Sequence, residues 1–200
     1  IAGSVRFHVG VVAVFAGHLV GLLTPIQIFD ALGVSHEAKQ ILAISAGGVA
    51  GVMALVGGML LLHRRLFDPR IRANSTLADT GIMVLLMAQL LLGLASIIVS
   101  LNHLDGEEMM KLMNWAQGII YLRAGAAAYV TDVHWLFKAH IVLGLTIFLL
   151  FPFTRLVHIF SAPLRYLWRP GYQIVRSRRG AKPAPSGLKP LPRPYMEPGE

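Results

Sequence analysis

Two histidines stand ten residues apart in one uncharged stretch of the chain, His8 and His18, and two more stand eighteen apart on a later apolar segment, His140 and His158. A neutral imidazole has one nitrogen lone pair for a metal and one N–H for a hydrogen bond. Holding such a ring in an apolar setting is costly, which makes it a functional candidate. Two rings on each of two segments can clamp two metal ions, one pair per ion, and haem iron takes axial histidine ligands. The plainer alternative is that each ring hydrogen-bonds a neighbouring helix. Four rings confined to two segments weigh against it. The chain has no cysteine, so it cannot ligate an iron–sulfur cluster, attach a c-type haem, bind zinc through sulfur or form a disulfide.

The elements that must position these rings are membrane spans. Of 200 residues 55% are hydrophobic and only 14% charged, with a mean hydropathy of +0.62. A water-facing shell needs about 25–35% charged residues. Runs of 23 residues without Asp, Glu, Lys or Arg lie between Arg6 and Asp30, between Lys39 and His63, and between Asp79 and His103. Each exceeds the roughly 20 residues that cross a hydrocarbon core. A fourth run, from Ala139 to Thr154, has 16, but its apolar pattern begins at Val133 and resumes after Arg155 as far as Phe160. The expected fold is all-α: a transmembrane helical bundle with four spans, its glycines allowing helix backbones to approach. Basic residues set its orientation. Fourteen of the 18 Lys and Arg precede the first span, lie in the loop holding Arg64, Arg65, Arg70 and Arg72, or follow from Arg155 onward. The positive-inside rule places those segments, the C-terminus included, in the cytoplasm. A net charge of +8 with a pI near 10.3 therefore reads as topology, with no nucleic-acid partner. The chain opens at Ile1 close to a span, without a secretory signal, and a missing upstream segment is expected.

With the first span running outward and the fourth inward, His8 and His158 fall near the cytoplasmic face, and His18 and His140 nearer the outer face. Eighteen residues are five helical turns, so His140 and His158 share a face, whereas ten residues leave His8 and His18 about 80° apart. The pairs span about 15 Å on the first helix and about 27 Å on the last, a mismatch that tilt must absorb. His134 is the main substitute ligand, six residues before His140. His36, His63 and His103 read as loop or boundary residues, and Met53, Met59, Met83 and Met87 as apolar filler. Between the third and fourth spans, Leu112, Trp115, Ile119 and Leu122 recur at helical spacing, as in a short amphipathic helix on the outer interface. Residues 1–180 are expected to form the membrane domain. Residues 181–200, with six prolines, are expected to form an extended cytoplasmic tail.

Specific blocks then carry a resemblance. They are HVGVVAVFAGH over 8–18 with GLLTP over 21–25, RRLFDPR over 64–70, DGEEMMKLMNWAQ over 105–117, HIVLG over 140–144 and FPFTRLVHIFSAP over 151–163. Together they closely resemble the gamma subunit of membrane-bound respiratory nitrate reductase, over nearly everything from His8 to Arg178. The resemblance implies a dihaem cytochrome b that oxidises quinol near the outer face. Electrons would pass from an outer haem on His18 and His140 to an inner haem on His8 and His158. From there they would reach an iron–sulfur beta subunit and a molybdenum-containing alpha subunit that reduces nitrate. It also implies a further span upstream.

The family's quinol-site lysine matches Lys39 in EAKQ over 37–40, with Gly17 and Gly21 beside His18 as the accompanying small residues. Lys39 at the outer end of its helix can hydrogen-bond a quinone oxygen while reaching water; otherwise it is an interfacial snorkelling lysine. Gly17 and Gly21 leave room for a flat ring, or serve helix packing. Arg155 is placed to pair with a propionate of the inner haem, or to anchor topology. Two rival functions stand beside this one: a cytochrome b of a sulfur-cycle complex (heterodisulfide-reductase-like or sulfite-reducing), and a non-redox transporter using histidines for proton movement.

Overall fold

The computed structural model describes residues 2–154, 156 and 157. Arg155, His158 and the expected tail at 181–200 lie outside the described residues. The elements in chain order are α1 (Ala2–Leu23), α2 (Ile26–Ala31), α3 (His36–Phe67), α4 (Pro69–Ala73), α5 (Leu77–Ser100), α6 (Glu107–Ile120) and α7 (Trp135–Leu150), with 3-10 turns at Ala126–Val130 and Phe151–Phe153. No strand occurs among the described residues. Among the described residues, four helical segments are long and apolar enough to cross a membrane: Gly3–Leu23, His36–Phe67, Leu77–Ser100 and Trp135–Phe153. Helices suit that setting because each satisfies its backbone polar groups internally.

Local chemistry sets the ends. The Ser35 hydroxyl accepts a hydrogen bond from the Ala38 N–H and opens α3. Thr76 and Asp79 form a capping box at the start of α5. Asp68 closes α3 and caps α4, with Pro69 at the first helical position, where its missing N–H costs nothing.

Successive spans run antiparallel and meet through small residues. A Cβ on Gly10 of α1 would lie 2.6 Å from the Ala54 nitrogen of α3, and one on Gly57 of α3 would strike the Phe7 backbone of α1. These two backbones therefore touch. Gly51 and Gly58 of α3 receive Leu94 and Met87 of α5, and Gly93 of α5 receives His140 of α7. Large apolar side chains such as Val12, Val49, Ile98 and Leu149 point outward and stay exposed on the bundle, as lipid-facing positions do. Buried positions are few and mostly small or sulfur-bearing, Ala50, Ala54, Met87 and Met113 among them.

Three elements differ from the sequence expectation. α3 extends well past its uncharged run: 32 residues make about 48 Å at 1.5 Å each, because the polar residues flanking the run are helical too. The fourth span is α-helical for only 16 residues and tightens into a 3-10 turn at Pro152, whose ring cannot continue the ladder. The five-turn spacing of His140 and His158 assumed an unbroken α-helix, and His158 itself lies outside the described residues. In α6 the residues packed against the protein are Met113, Ala116 and Gly118, while Ile119 and Leu122 of the expected stripe are exposed. Leu122 also lies beyond the helix at φ 51°.

Candidate functional site

The two histidines of α1 commit the same nitrogen in the same way. His8 Nδ1 is 2.8 Å from the Ser4 carbonyl oxygen and His18 Nδ1 is 2.8 Å from that of Val14, each four residues back along the helix. A carbonyl oxygen only accepts, so each Nδ1 carries the proton and each Nε2 keeps its lone pair. Both rings are exposed on the bundle.

Across from α1, His140 of α7 is half-buried against α5. Its ring centre lies 6.1 Å from that of His18, with the planes 37° apart. Two imidazoles on one metal, at about 2.0–2.1 Å per metal–nitrogen bond and about 1.1 Å from nitrogen to ring centre, place their centres about 6.2 Å apart. The separation of the two ring centres is thus close to what a single shared ion needs. No group of three His, Asp or Glu side chains able to hold a metal occurs among the described residues, so this site offers two protein ligands, which suits a haem iron better than a structural zinc. His8 has its lone pair ready, while its expected partner His158 lies outside the described residues.

The remaining histidines have other work. His134 caps α7, its Nδ1 accepting from the Leu136 N–H at 3.3 Å. His63 stacks on Phe67 with ring centres 4.7 Å apart, and His36 lies 3.5 Å from the Asp30 carboxylate. Among the methionines, Met87 fills the space over Gly58.

Lys39 sits in the first turn of α3, at the same end of the bundle as His18. The structure buries it: it is 4% exposed, its Nζ donates to the Met113 sulfur at 2.6 Å, and it lies 4.0 Å over the Phe29 ring. It does not reach water, because α2 and α6 fold over this end. The neighbouring Gln40 ties α3 to the loop after α5, donating to the carbonyls of Ser100 and His103 at 3.3 and 2.7 Å. Gln117 of α6 donates to those of Leu22, in the last turn of α1, and Thr24, just beyond it. A cavity of about 200 Å³ opens between α2 and α6, and Met113 forms part of its wall. Gly17 and Gly21 flank His18 with open space: a Cβ on either would meet nothing within 4 Å. On the outer side of α6, Lys111 pairs with Glu108 at 3.2 Å. That hydrogen bond and the carboxylate charge hold its ammonium pKa above the ordinary lysine value.

A family model described as nitrate reductase gamma subunit matches residues 1–178. The chain belongs to that family. It is 50% identical over 172 residues to the respiratory nitrate reductase 1 gamma chain of Escherichia coli (strain K12), covering 86% of this chain and 76% of that one. Identity to the reductase 2 gamma chain of the same organism is 51% over 173 residues, with the same coverage. To the nitrate reductase gamma chain of Bacillus subtilis (strain 168) it is 39% over 177 residues, covering 88% and 78%. A multi-pass membrane subunit of the gamma family thus brings His18 and His140 together.

One polar residue of this gamma-family chain escaped the sequence reading. Gln89 sits in the middle of α5, its amide nitrogen 3.3 Å from His140 Nε2 and 3.1 Å from the His140 carbonyl oxygen. The signal was present: a lone amide deep in a 23-residue uncharged run is as informative as a lone imidazole.

Proposed function

We propose that this chain is the quinol-oxidising, dihaem cytochrome b subunit of a respiratory nitrate reductase. It oxidises quinol near the outer face and delivers the electrons, by way of two b haems, to an iron–sulfur beta subunit and a molybdenum-containing alpha subunit that reduces nitrate to nitrite in the cytoplasm. The single observation that carries the reading is the His18–His140 pair, at the ring separation that one shared iron requires. His18 and His140 would hold the outer haem, and His8 and His158 the inner one, with Arg155 placed for an inner propionate. Haem bound there supplies one-electron chemistry at iron, which suits the stepwise oxidation of a two-electron quinol.

The chain's own residues do the rest. The Val14 and Ser4 carbonyls fix the ring tautomers of His18 and His8, so that Nε2 faces outward as the ligand atom. Lys39 offers an ammonium whose present partners are a thioether and an aromatic face. Both are weaker acceptors than a quinol oxygen, so the ammonium is free to change partners when quinol arrives. Gly17 and Gly21 keep the approach to His18 open. Family membership favours nitrate reductase partners over a sulfur-cycle complex, and paired imidazoles favour a cytochrome over a proton-moving transporter.

The test is optical. Membranes holding the complete complex should show b-type haem bands that a quinol analogue reduces and nitrate reoxidises. Bands absent from such membranes would sink the cytochrome reading, and bands that nitrate fails to reoxidise would remove the nitrate partner.

A further inference from the structure

The contact between α5 and α7 is built from two reciprocal notches. His140 of α7 packs over Gly93 of α5, where a Cβ would come within 3.0 Å of the ring's Cε1; Gln89 of α5 packs over Gly144 of α7, where a Cβ would come within 3.0 Å of the amide nitrogen. Gln89 and Gly93 are one turn apart, as are His140 and Gly144, so each helix presents a polar side chain to the gap left by the other. Inside that gap the Gln89 amide N–H donates to the His140 carbonyl oxygen at 3.1 Å and lies 3.3 Å from ring Nε2. The Gln89 Oε1 and His140 Nδ1 are buried and without hydrogen-bond partners among the described residues.

Burying a carboxamide in an apolar span is costly unless its hydrogen bonds are met, and here only one of its two polar atoms is used. A leucine would pack the same helices without that cost. The amide therefore calls for a chemical reason, and both of its polar contacts are to His140.

We infer that Gln89 is a positioning residue for the iron that His18 and His140 would share: its amide N–H, held on the His140 carbonyl oxygen, fixes the α7 backbone at His140 and sets the electrostatic environment beside the ring. The inference rests on the haem reading above. Groups that touch a ligating histidine orient its ring and tune the metal, and losing one commonly changes metal affinity or activity 10–100-fold. The sign follows from the dipole. An amide N–H turned toward the ring puts its positive end near the iron, disfavours the extra positive charge of the oxidised state and raises the midpoint potential.

Gln89→Leu removes the amide at similar volume. Gly144→Ala leaves the amide intact but fills the notch it occupies. The complete complex in membranes is titrated potentiometrically, with both haems followed by their optical bands and low-spin electron paramagnetic resonance signals. Each variant is expected to lower the midpoint potential of the His18–His140 haem by the equivalent of about a tenfold change in its reduction equilibrium, about 59 mV for one electron. The other haem should be unmoved. If Gln89→Leu does not assemble, Gly144→Ala carries the test. Two haems with wild-type potentials and signals in the variant would overturn the inference while leaving the haem reading intact. A His18→Ala variant of the otherwise unaltered complex that loses no haem would overturn both.

Discussion

An imidazole that spends its N–H on its own helix has one place left to act, and His8 and His18 both stand in that state. The histidine types and positions were legible in the sequence; the commitment of each Nδ1 was not, because it depends on side-chain torsions that no spacing rule fixes. Lys39 is the reverse case. Its place at a helix end was legible, but its burial under Met113 and Phe29 depends on α2 and α6 folding back, a long-range event. A buried ammonium with two soft partners gives up little when a quinol oxygen arrives. Lys39→Ala should therefore slow haem reduction by a quinol analogue by about 10–100-fold, the worth of a charge-assisted hydrogen bond of about 1.5–3 kcal/mol. Dithionite should still reduce both haems fully, since the lysine contacts substrate and not iron. Stopped-flow reduction by the two reductants makes the comparison; unchanged quinol kinetics would leave Lys39 a structural residue.

At the level of elements, absence of charge identified all four spans, because desolvating a charge outweighs every local preference in lipid. It could not find the ends. α3 gains helical turns beyond its run because Ser35 caps it and flanking charged residues keep to its ends, and Pro152 breaks the last span inside an apolar stretch where charge gives no warning. The amphipathic pattern of α6 identified a helix but not its buried side: at an interface the large apolar residues turn to lipid and the small ones to protein. The contact of α1 on α3 rests on Gly57 meeting the Phe7 backbone. Gly57→Leu should force those helices apart at a cost of about 1–3 kcal/mol, the usual range for overpacking. Because Phe7 adjoins His8, the variant should lose the His8 haem in preference to the His18 haem, read from the two sets of optical bands, and should aggregate at lower temperature. Retention of both haems with an unchanged thermal profile would contradict the packing account.

For the whole molecule, alternating spans put Asn74, after α4, and Asn102, after α5, at opposite ends of the bundle, and the distribution of Lys and Arg proposes which end is cytoplasmic. These 200 residues hold no cysteine, so a single introduced cysteine is the only thiol among them. Asn102→Cys should react with an impermeant thiol reagent on intact cells, and Asn74→Cys only after permeabilisation; the opposite pattern would reverse the bundle and the direction of electron flow. In the proposed orientation, two electrons crossing inward from each quinol work with or against about 4.6 kcal/mol per 100 mV, from about 2.3 kcal/mol per charge, so topology decides whether turnover charges the membrane. Fold class and span number were legible from composition and the placement of charge along the chain, whereas the meeting of His18 with His140 follows from packing along three helix interfaces in series. That meeting is the central claim, and haem counting tests it most directly. The haem-to-chain ratio, measured by pyridine haemochrome on the purified complex, should be two for wild type, one for His18→Ala, one for His140→Ala, and still one for the double variant, because both rings hold the same iron. A double variant with no haem, beside single variants with one each, would mean that His18 and His140 serve different irons.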